Sequence, residues 1–385
     1  MLREFSIAVP DAVLADLGER LERTRWADSV AGCGWSMGAD VDYLRALIEY
    51  WHDEFDWREH EARLNRLPQF IATIDGSAVH FVHVRGSGKR SVPLLLTHGW
   101  PGSFAELVKL VPFLTAAGDR RNPELAFDLI IPSIPGFGFS ARPARAGNDS
   151  FRVADTFVRL MDELGYRRFG LQGGDVGAGI GTAIALKYPD RVLGLHLNYI
   201  PGSYRPCFGS SEELTDEERA FLADVARWYD EEGGYAHEQR TRPQTLGAAL
   251  NDSPAGLAAW LVEKYRGWSD CAGDLERRFT RDEVLVQVMI YWVTATIASS
   301  MRYYFENRLR PLCLARGERI SVPCGIARFP REAPFPPRTY VERGYEVARW
   351  TEMPRGGHFA AHEEPELLAA DIRTFFCELL RRCDP

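Results

Sequence analysis

Short apolar runs alternate with amphipathic stretches along most of the chain from residue 78 onward. Runs rich in β-branched and aromatic residues, bounded by glycine or proline turns, predict strands at residues 79–84, 92–97, 127–132, 169–172 and 192–197. Apolar residues at helical spacing predict helices between them, at 104–114 and 155–164. Further strands at 320–327 and 347–353 precede a final amphipathic helix at 364–380. Strands that alternate with helices in this way indicate an α/β fold with a mostly parallel, doubly wound sheet.

The segment before residue 90 has a helical pattern instead. Leu14, Leu17 and Leu21 recur at helical spacing, and a second, aromatic-rich helix is predicted over residues 43–57. We therefore expect residues 1–90 to form a helical appendage that wraps the core.

A second helical block interrupts the alternation between residues 207 and 310. It contains no run of strand quality, so we expect a helical cap inserted between two core segments, 91–206 and 311–385. Its most apolar part, residues 284–298, is interrupted by polar side chains and is shorter than the ~20 residues that a membrane span needs. We expect one buried helix there and no membrane span.

Composition then narrows the functional classes. The 385 residues are 45% hydrophobic, and 46 Lys and Arg against 54 Asp and Glu give a net charge of -8. This charge disfavours a nucleic-acid partner. Seven cysteines are scattered without a CxxC pair, which argues against a disulfide framework and a zinc ribbon, and the first twelve residues lack a signal-peptide core. We expect a cytoplasmic protein, and the sequence leaves open whether it is a monomer or a homodimer.

The strongest candidate for chemistry is the turn after the strand at 169–172. Gly173 and Gly177 stand two residues on either side of Asp175, and a helix is predicted to follow at 180–187. Such glycines are what a nucleophile elbow requires, because a Cβ would collide where the strand and helix cross. The apex residue is Asp and not Ser. A dinucleotide-binding loop and a purely structural glycine turn remain alternatives, although the spacing does not fit GxGxxG.

Two other strand ends carry groups that would complete an elbow site. HGWP at 98–101 lies where an α/β hydrolase presents one oxyanion-hole N–H, here that of Trp100, and the second comes from the residue after the nucleophile, Val176. GGHF at 356–359 places His358 at the late position of a catalytic histidine. His358 and His362 are four residues apart, but Phe359 stands where HExxH has glutamate. We expect no metal and no cofactor.

Six longer segments extend this pattern over nearly the whole chain. They are HGWP (98–101), SIPGFGFS (133–140), GGDVGAG (173–179), ALNDSPAGLAAW (249–260), YWVTATIASSMRYYFEN (291–307) and RGGHFAAHEEPELLAADI (355–372). Together they resemble the microsomal and juvenile-hormone branch of the epoxide hydrolases. The resemblance implies an α/β-hydrolase fold with an inserted helical cap and an N-terminal helical appendage.

The resemblance also implies a catalytic triad. Asp175 matches the family nucleophile and His358 its general base. The family's FPxE stands here as FPRE at 329–332, which makes Glu332 the acid that orients His358. One position departs from the family, because Val176 replaces the tryptophan that usually follows the nucleophile.

Two cap tyrosines match the family's ring-opening donors. These are Tyr235 in EGGYAH and Tyr304 in RYYFEN, with the neighbouring Tyr303 as a competitor for the second position.

The implied activity is hydrolysis of a hydrophobic epoxide to a vicinal diol through an ester of Asp175. The only implied partner is a small-molecule epoxide, and Trp100, Phe137 and Phe359 are expected to line its apolar pocket. Detoxification and natural-product (antibiotic) biosynthesis are both compatible with the sequence. Two alternatives stay open, namely a haloalkane-type dehalogenase with the same Asp elbow and a catalytically silent binding protein of the same fold.

Overall fold

The computed structural model describes residues 2–117, 125–207 and 214–383. The strands are β1 (Leu2–Phe5), β2 (Gln69–Ile74), β3 (Ser77–Val84), β4 (Arg90–Thr97), β5 (Leu125–Pro132), β6 (Phe169–Gly173), β7 (Val192–Leu197), β8 (Ile320–Arg328) and β9 (Tyr345–Glu352). The helices are α1 (Asp11–Glu22), α2 (Val41–Asp53), α3 (Trp57–Leu64), α4 (Val111–Thr115), α5 (Ser150–Glu163), α6 (Asp175–Lys187), α7 (Asp216–Glu232), α8 (Gly234–Thr241), α9 (Pro243–Leu250), α10 (Pro254–Trp268), α11 (Arg281–Thr294), α12 (Ile297–Leu309), α13 (Arg338–Glu342), α14 (Ala360–Glu363) and α15 (Pro365–Cys383). Short 3₁₀ helices occur at Gly34–Met37, Phe104–Leu110, Pro189–Arg191 and Leu275–Arg277.

The described strands form one sheet of nine, in the order β1-β2-β3-β5-β4-β6-β7-β8-β9. Neighbouring strands are parallel in the part of this order that runs from β5 to β9. The pairs β1–β2, β2–β3 and β3–β5 are antiparallel and extend the sheet on the β5 side. The predicted mostly parallel α/β sheet is therefore confirmed. After β4, the chain adds β5 on one side of it and β6 on the other. The carboxyl ends of β4 and β6 therefore form a topological switch point, which is where open α/β sheets carry their binding and catalytic sites.

Each of the seven predicted strands is present, and β1 and β2 were missed. β1 is a four-residue edge strand, and its first three residues are exposed, so it lacks the apolar pattern on which the prediction depends. β2 pairs with β3 from Gln69↔Val82 to Ile74↔Ser77. The predicted boundary at residue 90 coincides with the first residue of β4 and thus lies within this sheet, to which the N-terminal segment contributes strands as well as helices.

The apolar stretch at 284–298 also differs from the single buried helix that its sequence predicts. It is divided between α11 and α12, because Ala295 adopts a left-handed conformation with φ of 50°, and the two helices meet at 90°. Within the part of the chain that the structure describes, no single helix is long and apolar enough to cross a membrane, although this bent pair passes that test by length and composition.

The N-terminal helices reach the cap as well as the core. Arg20 in α1 forms an ion pair with Asp252 at 2.8 Å, next to the start of α10. The Tyr50 hydroxyl in α2 donates to Asp282 in α11 at 2.7 Å. These contacts tie the cap, which comprises α7–α12, to the N-terminal segment at the start of α10 and at α11. The cap lies over the carboxyl ends of the parallel strands, where Tyr235 of α8 stacks on Trp100 after β4.

Candidate active site

Asp175 begins α6 directly after β6, at the apex of a sharp turn. Its φ of 44° lies in the left-handed region, which non-glycine residues adopt at a cost. A Cβ on Gly173 would lie 2.5 Å from the carbonyl carbon of Gly177, and a Cβ on Gly177 would lie 2.1 Å from the carbonyl oxygen of Thr97. Side chains are excluded at both glycines, so β6 and α6 cross closely. The turn thus has the geometry of a nucleophile elbow with a carboxylate at its apex.

The loop after β4 approaches the Asp175 carboxylate with a backbone amide. The N–H of Trp100 donates to Asp175 Oδ1 at 2.8 Å. Val176 is the second residue of α6, where the backbone N–H has no intrahelical carbonyl to bond. Gly99 permits the close approach, because a Cβ there would lie 2.5 Å from the Cβ of Asp175. The Trp100 amide therefore stabilises negative charge on this carboxylate.

His358 follows β9 and lies between two carboxylates. Its Nδ1 is 2.7 Å from Glu332 Oε1, and its Nε2 is 3.7 Å from Asp175 Oδ2. A carboxylate only accepts, so Nδ1–H donates to Glu332. Glu332 comes from the loop after β8, and its side chain is fully buried. Burial by itself lowers the pKa of His358, but the charges of Glu332, Asp175 and Glu106 raise it to about 9.

Tyr235 and Tyr304 project from the cap toward the same place. Tyr235 in α8 stacks on the indole of Trp100 with ring centroids 5.4 Å apart and planes within 6°, and Tyr304 in α12 meets that indole edge-on at 5.8 Å. The two tyrosine rings are 6.0 Å apart. Burial raises the pKa of both phenols well above 10. Both hydroxyls are therefore neutral donors at physiological pH.

Tyr303 and Tyr304 have different surroundings, although they are adjacent in the sequence. The Tyr303 hydroxyl is bonded to Ser150 Oγ at 2.7 Å, and its ring packs against Phe137 at 6.1 Å. Tyr304 is the one of the pair that faces Trp100. Phe137 is fully buried below Tyr303 and lines neither of the cavities that Asp175 borders. The Phe137 ring thus packs in the core, and its expected place in the substrate pocket stays a prediction.

Asp175, Tyr235 and Tyr304 line one cavity of about 750 Å³ between the core and the cap. Val176 borders it as well. A volume of this size accommodates a drug-sized ligand. The remaining two residues predicted for the pocket lie beside Asp175, since Trp100 and Phe359 line a second, smaller cavity there.

That second cavity contains a carboxylate that the sequence analysis missed. It measures about 20 Å³, enough for about one water molecule, and Glu106, Asp175 and His358 line it together with Gln172 and Asn198. Burial is the main cause that raises the pKa of Glu106 to about 8. A buried acid thus sits beside the Asp175–His358 pair.

The sequence signal at Glu106 points to a different role. Ser103 and Glu106 have the spacing of a capping box, and Ser103 Oγ does accept the Ala105 N–H at 3.2 Å. The Glu106 carboxylate instead accepts the N–H of Gly99 at 3.1 Å, and Gly102 leaves room for it, since a Cβ there would lie 1.6 Å from Glu106 Oε2. An acid in the first turn after the HGWP loop is the signal that could have indicated this position.

The site offers no metal-binding geometry. Among residues 2–117, 125–207 and 214–383, no group of three or more His, Cys, Asp and Glu side chains is placed to hold a metal ion. His362 lies with its Nε2 3.7 Å from Glu283, away from the Asp175–His358 pair.

The elbow aspartate, the late histidine with its buried glutamate and the inserted cap define an α/β hydrolase with a carboxylate in the nucleophile position. Profiles of two families match the chain, "Epoxide hydrolase N terminus" over residues 2–107 and "alpha/beta hydrolase fold" over residues 92–245.

Relatives and solved structures agree with this class. The chain is 40% identical to epoxide hydrolase 1 of Sus scrofa over 403 aligned positions, which cover 97% of this chain and 88% of that protein. It is similar to the crystal structure of juvenile hormone epoxide hydrolase from Bombyx mori, with a TM-score of 0.86, 32% identity and coverage of 99% and 94%. For the Aspergillus niger epoxide hydrolase the TM-score is 0.84, with 30% identity and coverage of 98% and 97%.

The chain belongs to the epoxide hydrolase family, and it is an epoxide hydrolase with the α/β-hydrolase fold. The resemblance stated from its motifs is thereby confirmed.

Proposed function

We propose that this enzyme converts a hydrophobic epoxide to a vicinal diol through a covalent ester of Asp175. The observation that carries the proposal is the position of the Asp175 carboxylate, with Oδ1 on the Trp100 N–H at 2.8 Å and Oδ2 3.7 Å from His358 Nε2. The carboxylate is thus fixed at the end of the cavity, beside a base that can act after it has reacted.

Ring opening requires a nucleophile and an acid on opposite sides of the epoxide. The Asp175 carboxylate forms a bond to an epoxide carbon, the carbon–oxygen bond breaks, and the leaving oxygen takes a proton from a phenol of Tyr235 or Tyr304. The raised pKa of both phenols keeps them protonated until then. Aspartate suits this reaction because its ester has a carbonyl that water can attack, whereas a serine would form an ether.

Hydrolysis of the ester depends on His358. The charge of Asp175 is one cause of the raised His358 pKa, and esterification removes that charge. The pKa of His358 therefore falls once the ester has formed. The neutral imidazole of His358 can then take a proton from water. The water attacks the ester carbonyl, and the amides of Trp100 and Val176 bind the developing oxyanion. The bond between the acyl carbon and the substrate oxygen then breaks, and His358 gives its proton to that leaving oxygen, which completes the diol. The second proton of the water leaves the Asp175 carboxyl group and returns the tyrosine to its neutral form.

An isotope experiment tests the covalent route. In a single turnover in ¹⁸O water with enzyme in excess, the new diol oxygen comes from the Asp175 carboxylate and should be unlabelled, while the peptide that contains Asp175 gains the label. Mass spectrometry of the diol and of that peptide measures both. Label in the first-turnover diol with an unlabelled peptide would mean that water attacks the epoxide directly.

We further propose that Glu106 is a positioning residue for the hydrolytic water. The small cavity has room for about one water between Glu106, Asp175 and His358, and the hydrogen bond from Gly99 fixes the carboxyl at its wall. A water held there lies next to both the base and the ester.

Glu106→Gln is accordingly expected to slow ester hydrolysis by about 10- to 100-fold, because the water loses its orientation. Ring opening should proceed at the wild-type rate, since Glu106 takes no part in it. Rapid-quench single-turnover kinetics resolve the two phases, and thermal unfolding checks the fold. Equal slowing of both phases, or of neither, would assign Glu106 a structural role only.

A further inference from the structure

The backbone on both sides of His358 is bonded to one side chain, that of Glu363. In the loop at 356–359, the Gly357 N–H donates to Glu363 Oε2 at 3.1 Å. The Phe359 N–H donates to Glu363 Oε1 at 3.0 Å. The residue that carries the catalytic imidazole therefore lies between two amides that a single carboxylate holds in place.

The same carboxylate also bonds to the cap. The N–H of Asp270, in the cap segment after α10, donates to Glu363 Oε2 at 2.8 Å. The cap returns two bonds to the loop, since Asp270 Oδ2 accepts the Gly356 N–H at 3.0 Å and the Trp268 carbonyl accepts the His358 N–H at 3.0 Å. Each of the four amides in the loop is thus bonded either to the cap or to Glu363.

The cap and the loop are in direct contact at this point. A Cβ on Gly357 would lie 2.6 Å from the carbonyl oxygen of Trp268, so the two backbones approach more closely than a side chain would permit. The Trp268 ring meets the His358 ring edge-on, with centroids 5.0 Å apart. The position of the base therefore depends on how the loop is held against the cap.

Helix capping explains only one of the three bonds to Glu363. Glu363 is the last residue of α14, and a side chain that reaches back to the amide before the helix, here that of Phe359, is a common cap. The bonds from Gly357 and Asp270 come from outside this helix. They connect the loop to the cap and serve the position of His358.

The three bonds require an ionised Glu363. A carboxylate only accepts hydrogen bonds, whereas a protonated carboxyl group would turn an O–H toward one of the amides. Burial raises the pKa of Glu363 to about 7, although the amides of Asp270 and Phe359 and the charge of His358 act in the opposite direction. The ionised form predominates at pH 8, which is therefore the pH for a test.

We propose that Glu363 is a positioning residue for His358, because its carboxylate holds the loop that carries the base against the cap. This inference rests on the proposed covalent route, in which His358 acts on hydrolysis of the ester. His358 Nε2 lies 3.7 Å from Asp175 Oδ2, and a displacement of about 1 Å at a reacting group costs on the order of 10²-fold in rate. Ester formation depends on Asp175 and the cap tyrosines, so it should not depend on Glu363.

The variant Glu363→Gln tests this role with styrene oxide at pH 8. Glutamine keeps one acceptor oxygen and turns an NH₂ group to the other side, so at least one amide beside His358 loses its partner. We expect ester hydrolysis to slow by about 10- to 100-fold, with ester formation at the wild-type rate in rapid-quench single turnovers. In the steady state kcat and KM should fall together, because the ester accumulates. A smaller amount of folded enzyme would instead lower kcat and leave KM unchanged.

Glu364→Gln is the matched control, since it changes the adjacent buried acid in the same way. Glu364 forms ion pairs with Arg278 at 2.9 Å and with Arg355 at 2.8 Å. Its substitution should lower the temperature of thermal unfolding and leave both kinetic phases at their wild-type rates. If Glu364→Gln slowed ester hydrolysis as much as Glu363→Gln does, the effect would be one of general stability and the inference would be overturned.

A second variant keeps the test available if Glu363→Gln does not fold. Glu363→Asp retains the charge, but its shorter side chain cannot keep all three bonds, so ester hydrolysis should slow severalfold with ester formation unchanged. A folded variant at position 363 that hydrolyses the ester at the wild-type rate, or that slows both phases equally, would overturn the positioning role alone. A wild-type enzyme that opens styrene oxide without forming an ester would refute the proposed function, and the inference with it.

Discussion

The His358→Gln variant is expected to accumulate the Asp175 ester and to lose about 10²- to 10⁴-fold in steady-state diol formation. His358 acts on water after ring opening, so the first half-reaction retains its nucleophile and its donors. The glutamine cannot take the proton from water, and the ester persists. Intact-mass measurement after mixing with substrate should show the protein plus one substrate, and peptide mapping should place the addition on Asp175.

A double variant makes this test decisive. Asp175→Ala/His358→Gln lacks the nucleophile and should show no adduct under the same conditions. An adduct that persists in the double variant would place the covalent bond on another residue. A His358→Gln protein that binds substrate without any adduct would contradict the two-step mechanism.

The double variant Tyr235→Phe/Tyr304→Phe is expected to show the second large effect, on ring opening itself. Removing one donor that strengthens in the transition state costs about 10²- to 10³-fold, and the double variant removes both phenols that pack against Trp100 beside Asp175. Each single variant should fall between wild type and the double variant. Single-turnover rates of ester formation measure the effect, with thermal unfolding to verify the fold.

Tyr303→Phe is the matched control for these variants. Tyr303 neighbours Tyr304 and has the same side chain, but its hydroxyl is bonded to Ser150. The substitution should leave ester formation at the wild-type rate. A slow Tyr303→Phe together with a fast Tyr304→Phe would reverse the assignment of the two tyrosines.

The strands of the core could be predicted from the sequence because their signal is local. Buried runs such as Leu94–Leu96 alternate with turns over a few residues, and the completely buried β5 shows the same continuity. The predictions of strands and helices fail where the local hydrophobic pattern is weak or misleading. β1 is short and exposed, and the apolar stretch at 284–298 gives no sign that the backbone reverses handedness at Ala295.

The candidate site divides in the same way. Asp175 and His358 lie in glycine-rich turns at strand ends, where the residues that shape the backbone are sequence neighbours of the group they present. The assignment of Glu332 and the cap tyrosines required the resemblance to a family, because nothing in their own segments distinguishes them from surface or core residues.

By itself the sequence determined the α/β sheet, the elbow at Asp175 and the late histidine, since φ/ψ preference and hydrophobic periodicity act over a few neighbouring residues. Only the tertiary structure decided that Tyr304 and not Tyr303 faces Trp100, that Phe137 belongs to the core, and that the Glu106 carboxyl lies beside Asp175 and His358. These relations join elements far apart in the chain, and they depend on how the cap packs over the sheet, which no local pattern encodes.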